Sequence, residues 1–213
     1  MTGAVSPQVR PATTEDALAL ALIEVESVRA TSAALRPPGQ RTPPSVQERM
    51  REWSGWPAAH PDDVLLVYDT VGGAEHRADG RTDDGTDGGT DGGTGSTRGE
   101  VGGTAGRVGY VLARCEPWHE MDARVCALHV LPDHRLRGHG RALLHAATTE
   151  LWARGCGPVG LEVLEHDPVR DWYDAIGGTP VADAVEDVDG TELRVLVYRW
   201  DVARELARRL AVA

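Results

Sequence analysis

The chain has 213 residues, of which 41% are hydrophobic, and 22 basic against 33 acidic residues give it a net charge of −11. This length suits one domain with a large core, with or without a long insertion. No apolar run approaches the ~18 residues of a membrane span, and the acidic balance argues against general nucleic-acid binding. Residues 1–10 lack the basic start and apolar run of a secretory signal. We therefore expect a cytoplasmic protein without membrane or nucleic-acid partners.

The negative charge and the cysteines each bear on the protein's surroundings. The charge either keeps the protein soluble or steers a cationic small molecule or basic peptide toward it, and both explanations stay open.

Cys115, Cys126 and Cys156 form an odd number without a CxxC pair. This pattern argues against a disulfide framework and against a structural zinc site. We expect free thiols and no metal.

The predicted elements alternate along the chain in the order β-α-α-β-β-β-α-β-α-β-α. Apolar and β-branched runs predict strands at residues 8–10, 64–68, 108–112, 123–130, 159–164 and 193–198. Caps and helical spacing predict helices after Thr14, at residues 45–53, 141–154 and 169–176, and at residues 201–213. The pattern indicates an α/β fold, one mixed sheet with helices on both faces, in a single domain over residues 1–213. The C-terminal helix packs either on its own domain or on a second subunit in a homodimer.

Residues 72–106 differ in composition from the rest of the chain. Thr-Asp-x-Gly recurs at Thr82, Thr86 and Thr90, and large apolar residues are scarce. Such a segment cannot offset its ordering entropy, so we predict a disordered Asp/Gly/Thr-rich insertion. Because predicted strands flank it, the insertion interrupts a strand pair and does not separate two domains.

One glycine-rich turn carries most of the functional information. Gly138 and Gly140 lie between a predicted strand and an amphipathic helix. Amide groups at a helix start carry the positive end of the helix dipole, and glycine lets an anion approach them closely. Arg135, Arg137 and Arg141 concentrate positive charge in an otherwise acidic chain. The turn therefore predicts a pyrophosphate site.

Two motifs resemble the GCN5-related N-acetyltransferase (GNAT) family. A dinucleotide-binding loop would need glycine where Leu143 stands, and no Gly-Lys-Ser/Thr loop for a nucleoside triphosphate is present. The GNAT pyrophosphate motif, Arg/Gln-x-x-Gly-x-Gly/Ala, is matched by Arg135, Gly138 and Gly140. Residues 168–178, with Tyr173 at the tyrosine position, are similar to the family's second motif. The resemblance covers most of the chain outside the insertion.

The resemblance implies the acyl-CoA N-acyltransferase fold and acetyl-CoA as cosubstrate, held between the strands at 125–130 and 159–164. The acceptor amine would attack the thioester directly, and Tyr173 would protonate the departing thiolate. His166 stands where the family often has asparagine, which puts that cofactor contact in doubt. The residues that the resemblance assigns to the cofactor are Leu128, His129, Val130, Arg135, Leu136, Arg137, Gly138, His139, Gly140, Arg141 and His166.

The general base is not determined by the motifs. Many family members carry an acid where this chain has Cys126 or Ala127. The catalytic candidates are His129 and Glu162 on the two flanking strands, with acids of the preceding loop (Glu116, Glu120 and Asp122) as further alternatives. The missing acid leaves open a non-catalytic acyl-CoA sensor or interaction module on the same fold. A small-molecule or peptide amine is the expected acceptor. Trp53, Trp56, Trp118 and His119 either line its pocket or are ordinary aromatic residues of the core and the loops, and both interpretations stay open.

Overall fold

A seven-stranded mixed sheet, in the order β1-β2-β3-β4-β5-β7-β6, forms the centre of the molecule. The computed structural model describes residues 8–35, 45–70, 104, 106–188 and 191–211. Among the described strands, β4 and β5 run parallel and the other neighbours run antiparallel. The strands are β1 (Val9–Pro11), β2 (Val64–Asp69), β3 (Arg107–Arg114), β4 (Ala123–Val130), β5 (Val159–Leu164), β6 (Thr179–Val188) and β7 (Thr191–Trp200).

Helices cover both faces of this sheet, which confirms the predicted fold class. On β3, Tyr110 contacts Trp53 of α2, whereas a Cβ on the adjacent Gly109 would lie 3.0 Å from Leu143 of α3. Since successive strand residues point to opposite faces, α2 and α3 lie on opposite sides. Helix α1 packs with α2, and α5 packs with α3. The helices are α1 (Ala17–Leu35), α2 (Val46–Ala59), α3 (His139–Ala153), α4 (Arg170–Ala175) and α5 (Ala203–Ala211), with short 3-10 helices at Thr14–Asp16 and Pro132–His134.

The prediction of one strand after α4 was wrong, because β6 and β7 form a hairpin there. Strand β6 pairs on one side only and lies at the edge of the sheet. Its Val181 and Val185 are 48% and 59% exposed. The apolar alternation that identifies a half-buried strand is therefore missing, and Pro180 further weakens the signal.

The expectation of free thiols was wrong for two of the three cysteines. Cys115 and Cys156 form a disulfide across 41 residues, with their Cα atoms 6.4 Å apart. Cys115 follows β3 and Cys156 lies between α3 and β5, so β4 and α3 separate the two cysteines along the chain. Sequence spacing could not show this contact. Cys126 is free and exposed.

A buried carboxylate fixes the start of the chain against the sheet. Asp16 is fully buried, accepts hydrogen bonds from Arg10 at 2.8 and 2.9 Å, and accepts another from Arg107 at 2.9 Å. The Thr13 amide also donates to it, at 2.8 Å. Burial raises the pKa of Asp16, but the hydrogen bonds from Arg10 and Thr13 and the charges of Arg10 and Arg107 together outweigh it, so the pKa falls to about 2. This cluster joins β1, the first 3-10 helix and β3.

The predicted insertion at residues 72–106 lies almost wholly outside the described residues. Its flanking strands do pair: Leu66 of β2 lies opposite Val111 of β3. The C-terminal helix, predicted at 201–213, is observed as α5 and packs on α3 of its own chain. Among the described residues, no helix has both the length and the apolar character that crossing a membrane requires.

Candidate acyl-CoA and acceptor site

A wedge-shaped gap opens between the parallel strands β4 and β5. They pair only from Ala123 to Val125, opposite Val159 to Leu161, although β4 continues to Val130 and β5 to Leu164. The register of β3 against β4 shifts at this point, so Cys126 is an extra residue in a bulge. A bulge bends and twists a strand, which accounts for the divergence of β4 from β5.

The backbone of β4 presents alternate residues to the gap. Leu131 N donates to Val108 O at 2.9 Å, and a Cβ on Gly109 would lie 2.8 Å from His129 O. In an antiparallel ladder, His129 therefore points its backbone groups toward β3, and those of Leu128 and Val130 point toward the gap. The Val130 carbonyl already accepts from Ser27 Oγ and from Arg135 Nε, each at 3.2 Å. Leu128 is the residue of the predicted trio best placed to pair with a ligand's amides.

The glycine turn at the open end of the gap has the form of an anion site. Gly138 is the N-cap of α3 with φ of 84°, and no atom lies within 4 Å of where its Cβ would be. Having no side chain, it leaves the first-turn amides of His139 and Gly140 without a side-chain cap. Leu136 also has a positive φ, 59°, and is fully exposed. The turn thus offers helix-start amides beside open space.

Two of the three arginines around this turn donate to backbone carbonyls of the chain itself. Arg135 folds back onto Val130 O and onto Ser27 O at 3.4 Å. Arg141 donates to Leu210 O at 2.8 Å and Arg209 O at 2.9 Å, at the end of α5. Arg137 is exposed in the turn itself. Arg137 and the helix start therefore supply positive charge within the glycine turn itself.

His139 and His166 differ in their surroundings. The His139 ring lies 4.4 Å from that of Tyr68, and burial together with His134 and Arg137 lowers its pKa. The side chain of His166 is 84% exposed and lies 3.8 Å from Glu165. His166 is therefore directed into solvent, away from the gap residues named above.

Tyr173 lies on the α3 side of the sheet. Its ring is 5.7 Å from that of Tyr198 and 5.9 Å from that of Trp200, and the residue is 6% exposed. Burial raises its pKa well above the ordinary value of 10. Its phenol keeps its proton throughout the physiological pH range.

Glu162 and His129, the two candidate bases, lie on the α2 side. Glu162 directly follows Leu161, the last β5 residue that pairs with β4, so it stands where the gap opens. The His129 ring lies 5.3 Å from that of Tyr110. Burial, with Arg135 and Arg49, lowers the pKa of His129 to about 4. His129 is thus neutral and weakly basic at neutral pH, and Glu162 is the better-placed acceptor of a proton.

A cavity of about 230 Å³ lies at the closed end of the gap, on the α2 side. Two of the four aromatic residues considered for the acceptor pocket line it, Trp56 and Trp118. Trp53 is instead buried against Tyr110, and His119 contacts Trp118 from outside. The full lining is Trp56, Leu112, Arg114, Trp118, Arg124, Val125, Cys126 and Glu162.

Sequence reasoning missed Arg114 and Arg124. They lie opposite each other on β3 and β4, at the ends of the strands next to the cavity. A charged residue at the end of an apolar strand is common, so neither drew attention. The signal that was available is that the two arginines lie at facing ends of strands that follow each other in the chain.

Comparison with known proteins identifies the family. The model of the acetyltransferase (GNAT) family matches residues 46–177, more than half of the chain. The chain belongs to this family. The match spans α2 to α4 and so includes the glycine turn, the gap and the cavity of this GNAT protein. No curated protein sequence matches the chain.

Solved structures confirm the GNAT fold at low sequence identity. The ribosomal-protein-alanine N-acetyltransferase of Brucella melitensis is 15% identical, with a TM-score of 0.59 over 91% of this chain and 99% of that one. The yncA protein of Salmonella typhimurium with acetyl-CoA is 15% identical, with a TM-score of 0.55 over 91% and 92%. The paia N-acetyltransferase of Thermoplasma acidophilum with coenzyme A is 16% identical, with a TM-score of 0.51 over 88% and 96%.

Proposed function

We propose that this GNAT protein is an acetyl-CoA-dependent N-acetyltransferase acting on a primary amine. The observation that carries the proposal is the continuity of three features. The glycine turn, the gap between β4 and β5 and the cavity beyond its closed end follow one another along the same strands. Acetyl-CoA, when bound, supplies an activated acetyl group as a thioester. The yncA protein, which shares the fold, has acetyl-CoA as its cofactor.

The fit of the chain to this cosubstrate can be judged from its own backbone. A Cβ at Gly138 would project into open space, so the turn is clear for a phosphate group. The amides of His139 and Gly140 would hold that phosphate, with Arg137 beside them. The backbone of Leu128 would pair with the amides of the pantetheine arm.

The two proton-transfer groups lie on opposite faces of the sheet. Glu162 pairs with Val197, whereas Tyr173 packs on Tyr198, the next residue of β7. Because neighbouring strand residues face opposite sides, Glu162 faces the cavity side and Tyr173 the α3 side. In the proposed mechanism, Glu162 takes a proton from the acceptor amine in the cavity, and Tyr173 gives one to the departing sulfur.

The test is release of free CoA from acetyl-CoA with a broad amine panel. Glu162→Gln and Tyr173→Phe should each lower kcat about 100-fold or more while acetyl-CoA binding persists. Tyr198→Phe is the matched control, since its hydroxyl is bonded to Asp174 at 2.9 Å. It should retain most of the activity.

Acetyl-CoA binding without turnover on any amine would instead support a non-catalytic acyl-CoA sensor. The cytoplasmic location and the homodimer stay predictions from the sequence.

A further inference from the structure

The acceptor cavity has a cationic wall made of two arginines. Arg114 and Arg124 are direct cross-strand neighbours on β3 and β4, and both line the cavity. Side chains opposite each other on an antiparallel pair start about 5 Å apart, and like charges in this position destabilise the sheet. Asp63 and Glu116 each offset one of these charges, and an anion between the two guanidinium groups would relieve the repulsion that is left.

Each arginine is held in place by groups that lie outside the cavity lining. Arg114 Nε lies 3.1 Å from Asp63 Oδ2, and Arg124 Nε lies 2.6 Å from Glu116 Oε1. A guanidinium group has five N–H donors. Arg114 uses Nε in a hydrogen bond to Asp63, whereas Arg124 Nε lies close to Glu116 without hydrogen-bond geometry. Nitrogen atoms remain on both arginines for a further anion.

Tryptophan rings orient the same two guanidinium groups. The Arg114 guanidinium carbon lies 5.3 Å from the centre of the Trp56 ring, and that of Arg124 lies 5.9 Å from the Trp118 ring. Stacking on an aromatic face fixes the plane of a guanidinium and leaves its edge available for hydrogen bonds. A planar carboxylate matches such an edge with two parallel hydrogen bonds.

The lining also carries a negative group, on the strand next to that of Arg124. Glu162 contributes a carboxylate to the same cavity, at the point where β4 and β5 begin to diverge. The volume of about 230 Å³ is below the roughly 300–1,000 Å³ of most small-molecule sites, so the ligand is small. Charges of both signs within one small cavity fit a zwitterion.

We propose that the acceptor is a small amine that also carries a carboxylate, as a free amino acid does, with the carboxylate on Arg114 and Arg124 and the amine toward Glu162. This inference rests on the proposed function and names its substrate class. The net charge of −11 would favour a cation at long range. Within the cavity, the charged groups that contact the ligand determine which ligand binds, because they are closer to it than the screening length of about 8 Å.

The experiment compares free amino acids with their carboxamides, which keep the amine and lose the negative charge. Turnover is measured with acetyl-CoA, and binding is measured by calorimetry on the full chain saturated with CoA, where no transfer occurs. The variants are Arg124→Gln and Arg124→Lys. Arg204→Gln is the matched control, because Arg204 stacks on Trp152 at 5.7 Å outside the cavity lining. Thermal unfolding of each variant checks that it is folded.

We expect at least one amino acid to bind and react with about 10-fold to 100-fold preference over its carboxamide. Arg124→Gln should abolish that preference by weakening the acid form alone, Arg124→Lys should restore part of it, and Arg204→Gln should keep it. Equal binding of the acid and amide forms, or a preference for amines without a carboxylate, overturns the inference about the substrate class. Acetyl transfer to any of these amines would still support the proposed acetyltransferase activity. If amino acids bind through a carboxylate contact that depends on Arg124 but no acetyl group is transferred, the carboxylate site is supported and the proposed acetyltransferase activity is refuted. Absence of both refutes both.

Discussion

The glycine turn at the start of α3 gives the sharpest test of the cofactor assignment. Gly138→Asp places a carboxylate where a phosphate is expected, and Gly138→Asn places a side chain of the same size without the charge. Asp and Asn both tolerate a left-handed backbone better than other residues, so the φ of 84° strains them similarly. No atom lies within 4 Å of the new Cβ, so neither side chain has to displace a neighbour.

The difference between these variants follows from Coulomb's law. Two unit charges 4 Å apart interact by about 1 kcal/mol in water and about 4 kcal/mol at an effective dielectric constant of 20. Gly138→Asp should therefore bind acetyl-CoA roughly 5-fold to 1,000-fold more weakly than Gly138→Asn. Both should lose about 1–3 kcal/mol of unfolding free energy from the strained backbone.

Titration calorimetry with acetyl-CoA at two salt concentrations measures this difference, and thermal unfolding measures the shared strain. Higher salt should reduce the difference in acetyl-CoA affinity between the two variants, because it screens the repulsion between the carboxylate and the phosphates. Equal affinities for the intact chain, Gly138→Asn and Gly138→Asp would show that the turn does not hold the pyrophosphate. The acetyl-CoA assignment would then lose its structural basis.

Three further predictions concern stability and pH. The lowered pKa of Asp16 contributes roughly 2.5 kcal/mol that is present above pH ~4 and lost as pH falls toward 2. Asp16→Asn should therefore weaken the fall of the unfolding free energy between pH 4 and pH 2, as measured by urea unfolding. The same fall in the variant and the parent would contradict this. Reducing the disulfide, or Cys115→Ser with Cys156→Ser, should cost about 4 kcal/mol for a loop of this length, whereas Cys126→Ser should match the parent. Finally, the raised pKa of Tyr173 predicts that its phenol does not ionise below pH 10. Tyr173→Phe should therefore lower kcat without removing any alkaline decline of kcat below pH 10. A decline that vanishes in the variant would refute this assignment.

Features that depend on nearby residues were predictable from the sequence. Gly138 and Gly140 define a turn because a strand ends and a helix begins within a few residues of them. Ser45 and Glu48 form the predicted capping box for the same reason, with Glu48 N donating to Ser45 Oγ at 3.3 Å. Local order and apolar periodicity sufficed for the fold class.

Features that depend on distant residues were not predictable. Arg141 was expected at the pyrophosphate, but the end of α5, which lies 68 or more residues away, accepts its hydrogen bonds. Cys115 and Cys156 meet only because β4 and α3 fold between them. Arg114 and Arg124 acquire a common role only once the β3–β4 register places them face to face. In each case the partner is chosen by the packing of whole elements.

The bond between Arg141 and the end of α5 has a practical consequence for handling the protein. The end of α5 lies about one arginine side chain away from the first turn of α3. A purification tag fused to the C-terminus would therefore start near the place where we propose that the cofactor's phosphates bind. A truncation that removes α5 would release a guanidinium beside the glycine turn and would expose the face of α3 that it covers. Altered affinity for acetyl-CoA in a shortened chain would thus report on the C-terminal helix as much as on the turn itself.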